Sequence, residues 1–248
     1  MIDARIHASA GGAILFDAAL AAQADEAWFD PAAWEARGLL EGHGGGRGRV
    51  AFVRAPFGAC ALRHYHRGGM VARVLGDRYL WTGMESTRSF AEFRLLAALR
   101  ERGLPVPAPV AARYRRRGVH YSADLLTRRI EASQTLTQRL REGHADAGLL
   151  QRVGALIARF HASGVYHADL NAHNVLVAAD GLYLIDFDRG ELRAPARGWQ
   201  RANLARLRRS FLKVLGGTER EDRDSPETFE RTLWAPLMQG YETAMGAA

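Results

Sequence analysis

The sequence predicts an α+β protein whose strands lie in its N-terminal part and whose helices dominate its C-terminal part. Three observations carry that reading. Two strand-like runs, RVAFVR (49–54) and ACALRHY (59–65), flank the turn APFG, which has the Pro and Gly of a hairpin connection. Leu149, Leu150, Val153, Leu156, Ile157 and Phe160 recur on one face of a helix that Gly164 closes. The last sixty residues also read as helices. The change of pattern near Arg129–Ser133 separates an N-terminal lobe, 1–130, from a C-terminal lobe, 131–248.

The remaining elements follow in order. The Gly-rich EGHGGGRGRV (41–50) leads into the first strand pair. A helix starts near Arg88, with Phe90, Phe93, Leu96, Ala97 and Leu99 near helical spacing, and ends at Gly103. LPVPAPVAARY comes next, then an Arg-rich turn RRRG (115–118) and a strand VHYSADLLT (119–127).

Composition narrows the setting. The 248 residues are 48% apolar and 25% charged, ordinary for a globular protein with ample core. Cys60 is the single cysteine, so no intramolecular disulfide forms and a reducing compartment is expected. GGAILFDAALAA resembles a signal segment only faintly, because Asp17 interrupts it and only Arg5 precedes it as a fixed cation. No run approaches the ~18 apolar residues that span a bilayer. The expected location is therefore cytoplasmic. A net charge of +7 favours an anionic partner, although a genome rich in Arg codons produces the same excess. Of the 34 basic residues, all but Lys213 are arginines.

The chemistry is concentrated in HADLNAHNVLVAADGLYLIDFDRG (167–190). Asp169 and Asn174 lie five apart, and Asp186 follows 17 residues after Asp169. NVLV and LYLI, joined by ADG, read as a hairpin that brings Asn174 and Asp186 to neighbouring ends. Carboxylate and amide oxygens there suit Mg2+, a hard cation that takes oxygen ligands. Asp169, free of the metal, can accept the proton of an attacking hydroxyl. H-x-D-x-x-x-x-N followed by D-F-x is the layout of phosphoryl transfer in kinases. A hairpin with merely solvated polar ends is the plain alternative.

Companion features lie upstream. Cys60-Ala61-Leu62-Arg63 aligns with the V-A-I-K strand, in which the alanine roofs the adenine of ATP and the cation grips its phosphates. The usual lysine is absent, so Arg63 stands in, binding as a planar fork rather than a point charge. His43-Gly44-Gly45-Gly46-Arg47-Gly48-Arg49-Val50 keeps Gly45, Gly48 and Val50 of G-x-G-x-x-G-x-V but has His43 where the first glycine belongs. Glu92, 29 residues after Arg63, is the expected helix partner of that arginine, with Glu85 as second choice.

These residues resemble the protein-kinase-like superfamily and, within it, the 3-deoxy-D-manno-octulosonic acid (Kdo) kinases of Gram-negative lipopolysaccharide synthesis. The resemblance rests on LRHYHRGG (62–69), GDRYLWTG (76–83), STRSFAEFRLL (86–96), HADLNAHNVLV (167–177), LIDFDRG (184–190) and GWQRANLARLRRSFLK (198–213). It implies a two-lobed kinase fold, ATP with Mg2+ as donor, and transfer to the 4-hydroxyl of Kdo on a lipid A precursor. By position, Asp169 matches the catalytic base, and Asn174 and Asp186 match the metal ligands. The departures matter as much. His167-Ala168-Asp169 lacks the arginine that holds a phosphorylated activation loop in regulated protein kinases, and Asp188 replaces the glycine of D-F-G. No A-P-E follows, and only RGELRAPARG precedes the next helix, which argues against a peptide acceptor.

In NLARLRRSFLKVLGG, Leu204, Leu207, Phe211 and Leu215 share one face, flanked by Arg201, Arg206, Arg208, Arg209 and Lys213. Such a helix either lies on an anionic inner-membrane surface or buries its apolar face in an ordinary fold. Neither it nor Arg115–Arg117 interleaves aromatics with cations, so nucleic acid is not expected as a partner. Two other readings remain open: a phosphotransferase for heptose or aminoglycosides, and a nucleotide-binding pseudokinase that serves as an interaction module.

Overall fold

The structure, a computed structural model, describes residues 2–44, 50–66, 77–216 and 225–247. The chain divides into two compact units, Met1–Arg102 with Pro107–Glu131, and Gly103–Val106 with Ala132–Ala248.

The first unit contains β1 (Ala4–Ser9), β2 (Gly12–Asp17), α1 (Pro31–Ala36), β3 (Leu40–Gly44), β4 (Val50–Ala55) and β5 (Gly58–His64). It continues with β6 (Tyr79–Leu80), α2 (Arg88–Glu101), β7 (Pro109–Arg117) and β8 (His120–Arg128). The strands form one antiparallel sheet in the order β1-β2-β7-β8-β5-β4-β3, with β6 on β8. Two features depart from the sequence reading. The apolar stretch near the start is a strand, β2, whose residues from Ala13 to Asp17 are all buried; a strand covered on both faces shows no polar alternation. Arg115–Arg117 are not a turn but the end of β7, paired with Gly12 on one side and with Ser122 to His120 on the other. Their side chains find partners outside the sheet: Arg115 pairs with Glu26 at 2.8 Å, and Arg116 lies over the Trp81 ring.

The β4–β5 hairpin sorts its residues by face. Ala51, Val53, Cys60 and Leu62 enter a core with Phe16, Trp28 and Trp34. Burial pushes the Cys60 thiol up to about 12, so it is an inert packing residue. Asp124 of β8, also buried, accepts two hydrogen bonds from Arg113 of β7 at 3.0 and 2.8 Å and pairs with His64 of β5 at 2.6 Å. That hydrogen bond to Asp124 raises the His64 imidazole above its ordinary value. Helix α2 packs on β7 and β8, burying Phe90, Glu92, Phe93, Leu96 and Leu99; Ser89 Oγ donates to the Arg113 carbonyl at 2.9 Å.

The second unit contains β9 (Gln134–Thr135), α3 (Leu136–Glu142), α4 (Ala147–Ala162), β10 (Val165–Tyr166), β11 (Val175–Ala178) and β12 (Gly181–Leu184). It closes with β13 (Glu191–Leu192), α5 (Arg197–Leu215) and α6 (Ala235–Gly246), the last preceded by a π-helical turn, Glu230–Trp234. Thr135 and Gln138 form a reciprocal capping box at the start of α3, and Asp146 caps α4 by accepting from Leu149 N at 2.7 Å. Helices α4 and α6 pass in near backbone contact. A Cβ on Gly154 would lie 1.9 Å from the Leu237 carbonyl oxygen, and one on Gly240 would lie 2.0 Å from that of Gln151. Among the described residues, no helix is long and apolar enough to cross a membrane.

Candidate active site

In the first unit, antiparallel register puts Val50 directly opposite Arg63, while Ala61 stands two residues along β5, so the three share the face opposite the core. Arg63 pairs with Glu92 of α2, and its guanidinium lies 4.5 Å from the centre of the Tyr65 ring. The Tyr65 hydroxyl donates to the same Glu92 oxygen at 2.5 Å. The Glu92 side chain is 3% exposed, so donors such as Arg63 and Tyr65 take the place of water at this carboxylate. Glu85 is engaged elsewhere, with Arg94 at 2.7 Å. Gly45 and Gly48 lie outside the described residues.

In the second unit, the segment from His167 to Asn174 is held by a network of side-chain and backbone hydrogen bonds. His167 is 2% exposed; burial lowers its imidazole below the ordinary value, so the ring is neutral. Its two nitrogens then have distinct partners. Nδ1 accepts from Asp169 N at 3.2 Å, and Nε2–H donates to the Ile185 carbonyl at 3.0 Å. One side chain thus ties the loop of Asp169 to the residue before Asp186. Asn203 of α5 clamps the same point: its Nδ2 donates to His167 O at 3.0 Å and its Oδ1 accepts from His167 N at 3.3 Å. Phe187, 1% exposed, packs 4.7 Å from the His167 ring and stacks on Phe160 of α4 at 5.9 Å. Burying a side chain of that size contributes roughly 1.5–3 kcal/mol and anchors the segment from below.

On this support Asp169 projects outward, its side chain 56% exposed. Asn171 Nδ2 donates to Asp169 Oδ2 at 3.0 Å, and Arg206 Nη1 lies 3.1 Å from Oδ1. The carboxylate is oriented yet accessible, as an acceptor of a proton must be. Asn174 Nδ2 donates to the Asp169 carbonyl at 2.9 Å, which turns the amide oxygen of Asn174 away from that bond. Val175 pairs with Leu184 and Ile185 N donates to Asn174 O at 3.0 Å, so Asp186 follows directly on the residue paired with Asn174. Asp186 has φ +63°, a left-handed conformation that costs a non-glycine residue on the order of 1 kcal/mol. Arg189 is also left-handed (φ +58°), whereas Asp188, where D-F-G has its glycine, is not; this turn therefore needs no glycine there.

The donor set fits Mg2+. One carboxylate and one amide oxygen, with neither sulfur nor imidazole, suit a hard cation that keeps part of its shell for phosphate and water.

Several residues that build the site escaped the sequence reading: Tyr65, Asn171, Asn203, Arg206 and Ser210. The last three share a signal that was present. Asn203, Arg206, Ser210 and Lys213 recur at helical spacing beside the apolar stripe of α5. That apolar stripe, Leu204, Leu207, Phe211 and Leu215, is buried inside the second unit. The flanking cations stay exposed, and one of them, Arg206, serves Asp169.

With this geometry described, comparison with known proteins is informative. Residues 32–241 match the family described as "Kdo: Lipopolysaccharide kinase (Kdo/WaaP) family". A 3-deoxy-D-manno-octulosonic acid kinase of Xanthomonas euvesicatoria pv. vesicatoria (strain 85-10) is 50% identical over 236 residues, covering 95% of this chain and 91% of the relative. A protein of the same name from Stenotrophomonas maltophilia (strain K279a) is 50% identical over 212 residues, covering 85% of this chain and 84% of the relative. A solved structure, "WaaP in complex with acyl carrier protein", aligns with 86% of this chain and 91% of its own, at 21% identity and a TM-score of 0.45. The match extends across both units, and the chain belongs to the lipopolysaccharide kinase (Kdo/WaaP) family.

Proposed function

We propose that the chain transfers the γ-phosphoryl group of ATP to the 4-hydroxyl of Kdo on a lipid A precursor, in the assembly of the lipopolysaccharide core. The single observation that carries the mechanism is the exposed carboxylate of Asp169, oriented by Asn171 and Arg206 on a loop whose backbone is held by buried His167. The acceptor hydroxyl forms its O–P bond to the γ-phosphorus while the bond from that phosphorus to the β–γ bridging oxygen breaks. ADP leaves with the electron pair of the broken bond, and the hydroxyl proton passes to Asp169. Arg63 binds the α and β phosphates, Glu92 and Tyr65 orient Arg63, and Ala61 roofs the adenine. Val50, with Gly45 and Gly48, belongs to the glycine-rich cover over the nucleotide. Asn174 and Asp186 would hold Mg2+, which supplies positive charge to the phosphate oxygens.

The protein acts in the cytoplasm, at the inner face of the inner membrane where such an acceptor is embedded. The net charge of +7 and the exposed cations of α5 support contact with an anionic surface. Because the apolar face of α5 is buried, that contact is electrostatic and weakens with salt.

The test is transfer of labelled γ-phosphate from ATP, with and without Mg2+, to a Kdo-bearing lipid A precursor, beside an aminoglycoside and a generic protein. Labelling of the glycolipid alone is expected, and only with Mg2+. Labelling of the aminoglycoside instead would reassign the acceptor. ATP binding without any labelled acceptor would make the chain a nucleotide-binding module.

A further inference from the structure

One charged face has members beyond those the phosphoryl-transfer chemistry uses. Arg206, Ser210 and Lys213 stand at i, i+4 and i+7 on α5 and therefore lie along one face. That face borders the loop of Asp169 at two points. Arg206 pairs with Asp169 at 3.1 Å, and Ser210 Oγ accepts from Ala172 N at 2.9 Å. Helix α3, whose last turn carries Arg141, packs on both α5 and the turn Ala172–Asn174. Exposed His173 projects from that turn. Arg206 and Lys213 thus share the face of α5 that borders the loop of Asp169, and Arg141 belongs to the helix packed on the same turn.

We propose that Arg141, Arg206, Lys213 and His173 form an anion-recognition subsite for the acceptor, beside Asp169, taking a carboxylate or phosphate monoester close to the reactive hydroxyl. The proposal rests on the kinase reading above and names what selects the acceptor.

Charge balance supports it. Arg208, on the same helix but turned from the loop, pairs with Glu230 at 3.1 Å. Among the described residues, no carboxylate pairs with Arg141 or Lys213. Exposed cations without a carboxylate partner stabilise no fold. They do solve a problem of approach, since an ionised base and an anionic acceptor repel. A cationic face beside Asp169 offsets that repulsion and raises the encounter rate. A cationic acceptor such as an aminoglycoside meets like charge here, so the cluster also discriminates between acceptors.

The experiment compares wild type with the double variant Arg141→Gln/Lys213→Gln, which leaves Arg206 and Asp169 in place. With the Kdo-bearing lipid A precursor, KM for the acceptor should rise about tenfold or more, with KM for ATP and Tm unchanged. Arg141→Lys/Lys213→Arg should restore it. Two modified acceptors separate the sources: one with the Kdo carboxyl reduced to an alcohol, one with the lipid A phosphates removed. The acceptor that loses its sensitivity to the double variant has lost the recognised anion. Sensitivity retained by both overturns the subsite. As a readout that needs no variant, inorganic phosphate should inhibit wild type competitively against the acceptor; competition against ATP alone overturns it. If wild type labels the precursor and the double variant's acceptor KM stays within about twofold, the subsite is wrong and the kinase reading stands. If wild type labels no acceptor, the kinase reading fails first and takes the subsite with it.

Discussion

Each unit carries an arginine–carboxylate pair among its own candidate residues, and the two pairs obey different physics. Arg63–Glu92 is sunk in the first unit, with side chains 20% and 3% exposed, and Tyr65 adds a second donor. Arg206–Asp169 stands in solvent, at 46% and 56%. In the buried pair each charge is the other's replacement for water, so removing one partner strands the other. In the exposed pair water replaces a lost partner at once, and the interaction is worth about 0–1 kcal/mol. The comparison teaches which residue the fold can spare. Arg63 is tied into folding and proposed chemistry together; Asp169 is positioned for chemistry by a scaffold that does not need its carboxylate.

The largest effect should therefore come without any loss of fold. Asp169→Asn keeps the shape and removes the base, and kcat should fall by ~10²–10⁴ while Tm holds. A parallel fall in Tm would break the comparison. Next comes Arg63→Met, which removes the cationic partner of the buried Glu92 carboxylate. Urea unfolding should show a loss of about 3–5 kcal/mol, together with weaker ATP binding. Arg63→Lys should recover much of the stability and less of the binding, since a point charge replaces a fork.

A pH effect sharpens the contrast within the second unit. His161, 1% exposed and hydrogen-bonded through Nδ1 to the Tyr241 hydroxyl at 2.9 Å, is lowered by burial to about 4. Its neutral form is the folded one. Between pH 6.5 and 4 the unfolded chain binds the extra proton, so stability falls as pH falls through that window. The loss reaches about 3 kcal/mol at its acid end. His161→Leu should start from a lower Tm and show a flatter decline of Tm over the same range. The smallest effect belongs to Arg206→Gln: less than about 1 kcal/mol on unfolding, because the pair is exposed.

How much of this could be read from sequence depends on where each interaction lives. The spacing of Asp169, Asn174 and Asp186 is local, and the hairpin β11–β12 follows from alternation and the ADG turn, so that part was legible. The family and the catalytic class were legible through the same residues. The strands β1 and β2 were not: β2 is buried and β1 exposed along nearly its whole length, so neither shows the alternation that identifies a half-exposed strand. Arg115–Arg117 passed for a turn, since a polar strand end held by Glu26 and Trp81 differs from a loop only in its distant partners. The clamp of Asn203 on His167 spans 36 residues, and that of Arg206 on Asp169 spans 37. No periodicity encodes such a meeting. The polar stripe on α5 announces only that this face touches something polar.

The most direct measurement is the single-turnover rate of γ-phosphoryl transfer from ATP to the Kdo-bearing lipid A precursor. Wild type and Asp169→Asn would be compared at saturating nucleotide and acceptor, with thermal unfolding of both recorded alongside. A loss of ~10²–10⁴ in rate at an unchanged Tm is the predicted result. A variant that transfers phosphate within about threefold of the wild-type rate would contradict it, because the proton would then be leaving by another route.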